Sequence, residues 1–409
     1  MSDFVPAFGV LRLPDSVLFG LGSRAAIAPA ALGYGTRVLI CCDPFLAATP
    51  EFAELLASLE SRGVSVKVLT EVVPELPVES VTRAAALASD FRPEVVIGYG
   101  GGSALDLAKL VALLVVHPGP LSLYYGENAV PGPVLPLIAV PTTAGTGSEV
   151  TPVAVVSDPE RELKVGVSSP HLVPRVAVVD PELSFGAPAA VTAHSGIDAF
   201  VHAVESYTAV VRPADWAEEL PVFVGRNALS SLLAIEAIRL IGENLRTSVR
   251  EPDNVAAREA MSYGSLLAGM AFGSAGTHLS HAMQYPIGAI TKTPHGLGTG
   301  LMLPFVLQAA VDSSRPELAE IARALGVEQS SEAASAQAAV DAIAVLVADI
   351  GVPSSLADIG VSEDQLPRIA ELALTVRRLA GNSTLPADEH SFARILSAAF
   401  HGDRTSIAE

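Results

Sequence analysis

VVIGYGGGSALDLAK, residues 95–109, passes from an apolar run through three glycines into a helical pattern. Residues 95–99 have the length and composition of a buried strand, and Leu105, Ala108, Leu110 and Val111 fall on a helical repeat. Between them, Gly100, Gly101 and Gly102 let the backbone approach a ligand closely, and Ser103 is placed to cap the first turn of the helix. A helix N-terminus offers free N–H groups to an anion, so a pyrophosphate would sit well there. A tight structural turn is the plainer alternative, because the segment is neither G-x-G-x-x-G nor G-x-x-x-x-G-K-[ST]. Outward from this stretch, apolar runs at residues 38–42, 64–69, 137–140 and 176–179 alternate with helix-like segments at 52–61 and 81–89. That alternation predicts a parallel sheet with crossover helices. A second loop, AVPTTAGTGSEVTP at residues 139–152, offers hydroxyls and backbone amides to a ribose or phosphate.

Past residue 185 the period changes. Leu229, Leu232, Leu233, Ala237, Leu240 and Ile241 fall on one helical face, and further helices are expected over 254–270, 317–325, 333–350 and 364–374. The expected organisation is an α/β dinucleotide-binding domain with a Rossmann-like parallel sheet over residues 1–185, followed by an all-α domain over 186–409. Residues 211–225, VRPADWAEELPVFVG, interrupt the helical pattern with two prolines and the only tryptophan. They read as an irregular loop, either functional or a surface excursion.

In the helical half, Asp198 and His202 stand at i, i+4 in GIDAFVHAVESY, so a carboxylate and an imidazole project from one face. His281 and His295, in HAMQYPIGAITKTPHG, could complete a four-ligand cage for a divalent metal. Three nitrogens and one oxygen without a thiolate suit Fe(II), Zn(II), Co(II) or Ni(II). Taken singly, each histidine is more ordinarily a hydrogen-bonded core residue. The set, together with two glycine-rich loops, is what points to metal and cofactor chemistry.

GGGSALDLAK, PTTAGTGSEVT, GIDAFVHAVESY and the closing His-x(13)-His-Gly, in that order, resemble the signatures of the iron-containing (group III) alcohol dehydrogenases. The likeness runs from FGVLRLPDSVLFGLGS to AGNSTLPADEHSFARILSAAF. The resemblance implies a dehydroquinate synthase-like fold, NAD or NADP as cofactor, one divalent metal, and interconversion of alcohols with carbonyl compounds. It makes Asp198, His202, His281 and His295 the metal ligands, with iron in the cell and zinc as its substitute. It assigns Gly100, Gly101, Gly102, Ser103 and Asp106 to a pyrophosphate loop, Thr142, Thr143 and Thr146 to a second cofactor loop, and Lys164 beside it, and implies a homodimer. Lys109 is open to a structural reading.

Asp43 follows the run at 38–42, where a carboxylate can accept hydrogen bonds from an adenosine ribose and repel a 2′-phosphate, which favours NAD over NADP. Its alternative is a turn residue in Asp-Pro. Bound to a substrate oxygen, the metal is expected to act as a Lewis acid while the nicotinamide exchanges the hydride. One carboxylate with three neutral imidazoles would leave that centre net positive.

One position departs from the commoner family pattern. Many members carry a histidine four residues after the third ligand, where this chain has Tyr285. The phenol either contacts substrate or cofactor, and so counts among the catalytic candidates, or forms an aromatic wall. AGTHLSHAMQYPIG is similar to the hydroxyacid-oxoacid transhydrogenase branch, which retains its nicotinamide, although the longer insertion associated with that branch between the third and fourth ligands is missing. Dehydrogenase or aldehyde reductase is the leading reading and transhydrogenase the alternative. A dehydroquinate synthase-type lyase is disfavoured by its different ligand pattern. His278 and His194 are read as structural or supporting residues.

Composition agrees with a folded enzyme. Of 409 residues, 50% are apolar and 17% charged, which speaks against disorder. A formal charge of −19 disfavours nucleic acid and anionic membranes; the resemblance implies a small alcohol, aldehyde or hydroxyacid as the partner. Cys41 and Cys42 are adjacent in an expected strand and read as small core residues in a reducing compartment. The opening MSDFVPAFGV has no basic segment followed by a long apolar stretch, and no run reaches membrane-helix length, so a cytoplasmic location is expected.

Overall fold

The computed structural model describes residues 8–161 and 163–408; residues 1–7 of the opening stretch lie outside them. The chain forms two compact units.

The first, Arg12–Ala187, contains β1 (Ser16–Phe19), α1 (Ile27–Leu32), β2 (Arg37–Cys42), α2 (Pro50–Glu60), β3 (Ser65–Leu69), α3 (Val78–Phe91), β4 (Val95–Gly100), α4 (Gly102–Val116), β5 (Gly126–Glu127), β6 (Leu137–Pro141), β7 (Val153–Ser157), β8 (Lys164–Ser168) and β9 (Val176–Val179). Six strands form one sheet in the order β1-β9-β6-β4-β2-β3, all parallel. The period-2 alternation of each strand feeds two cores. Leu39, Cys41 and Val96 enter one with Leu107 and Val111 of α4, while Val38, Ile40, Cys42, Ile97 and Tyr99 enter the other with Ile27 of α1 and Phe52 of α2. Both sheet faces are thus covered, which is why the central strands read as unbroken apolar runs. Cys41 and Cys42 are free, and burial pushes both thiols up to about 12. The smaller sheet, β5-β8-β7, pairs β7 antiparallel to β8; neither it nor β1 is expected from the sequence.

The chain visits β2, then β3 at the sheet edge, then β4 on the other side of β2. The order reverses between β2 and β4. In an open parallel sheet, the crevice beyond the carboxyl ends of two such strands is where ligands bind. Asp43 follows β2, Gly101 follows β4, and Thr142 follows the neighbouring β6.

The second unit begins at Pro188 and is helical. Its helices are α5 (Ala189–Thr208), α6 (Ala228–Arg250), α7 (Val255–Ala275), α8 (Leu279–Thr291), α9 (His295–Ala309), α10 (Arg315–Ala324), α11 (Glu332–Asp349), α12 (Leu366–Thr375), α13 (Arg377–Ala380) and α14 (Glu389–His401). Residues 8–11 also belong to it, with Val10 N–H donating to Asn227 Oδ1 (3.3 Å) and Ala228 N–H to the Phe8 carbonyl (3.1 Å). Asn227 caps α6 in a reciprocal box with Ser230, the arrangement that satisfies otherwise orphaned N–H groups. Small residues let the helices close on one another. A methyl group at Gly196 of α5 would lie 2.4 Å from Leu245 of α6 and 2.8 Å from Met261 of α7. Residues 211–225 are irregular, closed by a bridge between Val211 and Gly225, and Trp216 within them is 66% exposed. Among the described residues, no helix is long and apolar enough to cross a membrane.

Candidate active site

In the α/β unit, the two glycine-rich loops meet. Thr142 N–H donates to the Gly100 carbonyl at 3.0 Å. A methyl group would lie 3.7 Å from Asp43 Oδ2 if placed at Gly100, 3.6 Å from Thr143 Oγ1 at Gly101, and 2.9 Å from Thr146 Cγ2 at Gly102. Asp43, the glycine triplet and the three threonines therefore share one crevice. Gly100 has a φ of 151°, a backbone region closed to most side chains, and the packing around Gly102 leaves no room for a Cβ. Gly101, not Ser103, occupies the cap position of α4; Ser103 lies inside the helix and no side chain caps it. That difference leaves the first N–H groups of α4 to an incoming anion. Asp43 Oδ1 accepts from Leu46 N–H (3.0 Å), which orients its carboxylate beside Gly100.

Asp106 and Lys164 have partners inside the protein. Asp106 accepts from Ser148 Oγ (2.6 Å) and Val155 N–H (2.9 Å), so it ties α4 to the second loop, and Lys164 pairs with Glu75 at 2.6 Å. The fully buried Lys109 donates to the carbonyls of Thr151 (2.9 Å) and Val153 (2.7 Å), with the buried Glu149 nearby. Burial brings Lys109 down to about 8 and Glu149 up to about 7. Asp106 and Lys109 thus tie α4 to the second loop and the start of β7.

In the helical unit, α5, α8 and α9 bring Asp198, His202, His281 and His295 together. His202 Nε2 lies 3.8 Å from Asp198 Oδ2, while His281 Nε2 and His295 Nε2 each lie 3.9 Å from Asp198 Oδ1. None of these separations is a hydrogen bond. They are separations that two atoms bound to one ion can have, since metal–ligand bonds of about 2.1 Å put two ligands at most about 4.2 Å apart. Asp198, His202 and His281 are buried, and His295 is partly exposed. Asp198 Oδ1 also accepts from Thr299 Oγ1 (2.8 Å). Burial would raise the Asp198 carboxyl, but His202, His295 and His281 outweigh it and hold it below the usual carboxylate range. His281 Nε2 is buried with no hydrogen-bond partner. An orphaned imidazole nitrogen facing a carboxylate it cannot bond is the arrangement a cation would complete.

The rings are held by packing. His202 stacks on Phe272 at 4.2 Å and on His281 at 4.8 Å, and Tyr285, itself buried, lies 6.2 Å from the His295 ring. His278 is not in the cluster. Its Nδ1 accepts from Leu279 N–H and its Nε2 contacts Thr208 Oγ1, each at 2.8 Å, so it starts α8.

Glu205 is the residue that sequence reading does not single out. It is wholly buried and accepts from His281 Nδ1 (2.7 Å), His278 N–H (2.7 Å) and Ser280 N–H (2.6 Å). Burial opposes its charge, yet His278 and His281 hold its carboxyl well below the usual range. The signal was its position, seven residues after Asp198 and three after His202 on one helix. A second buried carboxylate thus lies within a hydrogen bond of the cluster.

Comparison with known proteins agrees with both units. Residues 14–181 match the family described as iron-containing alcohol dehydrogenase, and residues 192–400 match the Fe-containing alcohol dehydrogenase family, C-terminal. The chain is 38% identical over 389 residues to long-chain-alcohol dehydrogenase 1 of Geobacillus thermodenitrificans (strain NG80-2), covering 94% of each protein. A crystal structure of a 1,3-propanediol oxidoreductase superposes with a TM-score of 0.89 at 32% identity, covering 96% of this chain and all of the other. The sulfoacetaldehyde reductase of Bifidobacterium kashiwanohense, solved in complex with NAD+, gives 0.83 at 28% identity, covering 96% of this chain and 98% of the other. With matches spanning both units at these identities, the chain belongs to the iron-containing alcohol dehydrogenase family.

Proposed function

We propose that this enzyme moves a hydride between NAD(H) and a small alcohol or its aldehyde or ketone, with one divalent metal held by Asp198, His202, His281 and His295. The observation that carries the reading is the convergence of three imidazole Nε2 atoms on one buried carboxylate, with His281 Nε2 left unbonded. When bound, the metal supplies Lewis acidity toward a hydroxyl or carbonyl oxygen, and the nicotinamide supplies the acceptor or donor of hydride.

The chain's own residues do the positioning. Asp198 contributes the anionic ligand, and the Thr299 hydroxyl fixes which way its carboxylate turns. Phe272 covers one face of His202 and excludes water from it. The uncapped start of α4 and the amides of Gly100, Gly101 and Gly102 fit the pyrophosphate, with Thr142, Thr143 and Thr146 lining the same crevice. Asp43 beside Gly100 fits the adenosine ribose hydroxyls and opposes a 2′-phosphate, which selects NAD. Asp106, Lys109 and Lys164 act on loop shape. The relatives described above are a dehydrogenase, an oxidoreductase and a reductase, and the transhydrogenase alternative gains nothing from them.

The test measures metal content and NAD-linked turnover on short alcohols, diols and their carbonyl counterparts, before and after chelation and after restoring Fe(II) or Zn(II). Activity should disappear with the metal and return with it. His202→Ala and His281→Ala should each lower occupancy, and full occupancy in both variants would refute the ligand assignment.

A further inference from the structure

Glu205 stands one helical turn beyond His202 on α5, with three donors around its carboxylate and none of its surface exposed. Two donors are backbone N–H groups at the start of α8, those of His278 and Ser280. A carboxylate serving only to cap that helix would need no more. The third donor is the Nδ1 of His281, whose other nitrogen is buried, unbonded and 3.9 Å from Asp198.

An ionised carboxylate only accepts hydrogen bonds, so the proton of a neutral His281 must sit on Nδ1. Nε2 then carries the lone pair, and the ring cannot rotate without breaking the 2.7 Å bond. We propose that Glu205 is a positioning residue for the metal centre: it locks His281 in the Nδ1–H tautomer with Nε2 turned toward Asp198, and thereby sets the affinity of the site for its ion. This rests on the ligand assignment made above. The physical cause is twofold. The locked tautomer removes the cost of moving the proton when an ion binds, and a hydrogen bond to an anion makes the imidazole a stronger donor. The same carboxylate ties α5 to the start of α8, so the helix bearing Asp198 and His202 and the helix bearing His281 are registered through one side chain.

The test uses the full-length, metal-stripped protein and its Glu205→Gln variant. Glutamine keeps the shape, but its amide nitrogen turns a donor toward donors and its charge is gone. In ¹⁵N spectra of the metal-free wild type, His281 should show a protonated Nδ1 and a bare Nε2; the opposite tautomer would overturn the proposal whether or not any variant folds. In folded Glu205→Gln, verified by circular dichroism, Zn(II) affinity measured against a chromophoric chelator should fall 10- to 100-fold, the usual effect of removing such an outer partner. A mere cap would lower the melting temperature and leave affinity within two-fold of wild type, and that result would overturn the proposal. Should wild type and His202→Ala bind Zn(II) equally poorly, the ligand assignment fails instead. The tautomer measurement is unaffected by that outcome, so the two failures are distinguishable.

Discussion

Gly296 lies against Asp198: a methyl group at Gly296 would sit 2.8 Å from Asp198 Cβ and 2.0 Å from the His194 carbonyl oxygen. The residue before it, His295, starts α9, so the absence of a side chain at 296 is what lets the fourth imidazole approach the carboxylate. Gly296→Ala should push α9 away from α5, cost about 1 to 3 kcal/mol of stability by overpacking, and lower metal occupancy. Gly186→Ala, where a methyl group meets nothing within 4 Å, is the control. Elemental analysis after dialysis checks this, and equal metal content in the two variants would show that the close approach has no bearing on the site.

Asp43 should decide the choice of dinucleotide. Its Oδ2 faces Gly100 across the crevice at the sheet's reversal point, where a ribose is expected and a 2′-phosphate would meet like charge. The wild type should prefer NAD, and Asp43→Gly should narrow the preference by roughly ten-fold, about 1.4 kcal/mol. The ratio of kcat/KM values for the two cofactors measures it. Equal or better efficiency with NADP in the wild type would remove the role given to Asp43.

The buried charges of Glu149, in the second glycine-rich loop, and Lys109, bonded to Thr151 beside it, should give stability a pH dependence. Burial raises Glu149 from 4.5 to about 7. The folded protein therefore holds that proton more tightly than the unfolded chain, and the resulting stabilisation is full below pH 4.5 and lost as pH rises through 7. Lys109 runs the other way. Burial lowers it from 10.5 to about 8, so between those values the unfolded chain binds the proton that the folded protein releases, and stability rises with pH. Glu149→Gln should flatten the fall between pH 4.5 and 7 by on the order of 3 kcal/mol, while a rise above pH 8 persists. Urea unfolding across that range checks it, and matching slopes in both proteins would exclude Glu149 as the cause.

The α/β plan was legible because the central strands are buried on both faces and so write themselves as continuous apolar runs, as in residues 95–99 and 137–140. Edge and satellite strands leave fainter marks. β1 spans four residues and is half exposed, and β5 spans two. Asp198 and His202 were visible because an i, i+4 pair is a local pattern, and the two later histidines because their types match. Glu205 was not. Its donors come from residues 278–281, more than seventy positions away, and two of them are backbone N–H groups, which every non-proline residue carries. The internal partners of Asp106 and Lys164 were hidden for the same reason, since Val155 N–H and Glu75 become partners only in the folded chain.

Tyr285 occupies the position where this chain departs from the commoner histidine. Its ring is buried 6.2 Å from His295, the most exposed of the proposed ligands, so it borders the open side of the cluster. A phenol there donates a hydrogen bond and stays neutral near pH 7, whereas a histidine titrates. If the hydroxyl contacts a polar group of the substrate, Tyr285→Phe should lower kcat/KM by roughly ten-fold for hydroxyacids or diols, the loss of one hydrogen bond of about 1 to 1.5 kcal/mol, and spare simple alkanols. The expected outcome is that split, because ring packing against His295 survives the change to phenylalanine and only the hydroxyl is lost. Steady-state kinetics on a matched alkanol and diol pair, with metal content held equal, decides it. An equal effect on both substrates, or none on either, would reduce Tyr285 to an aromatic wall.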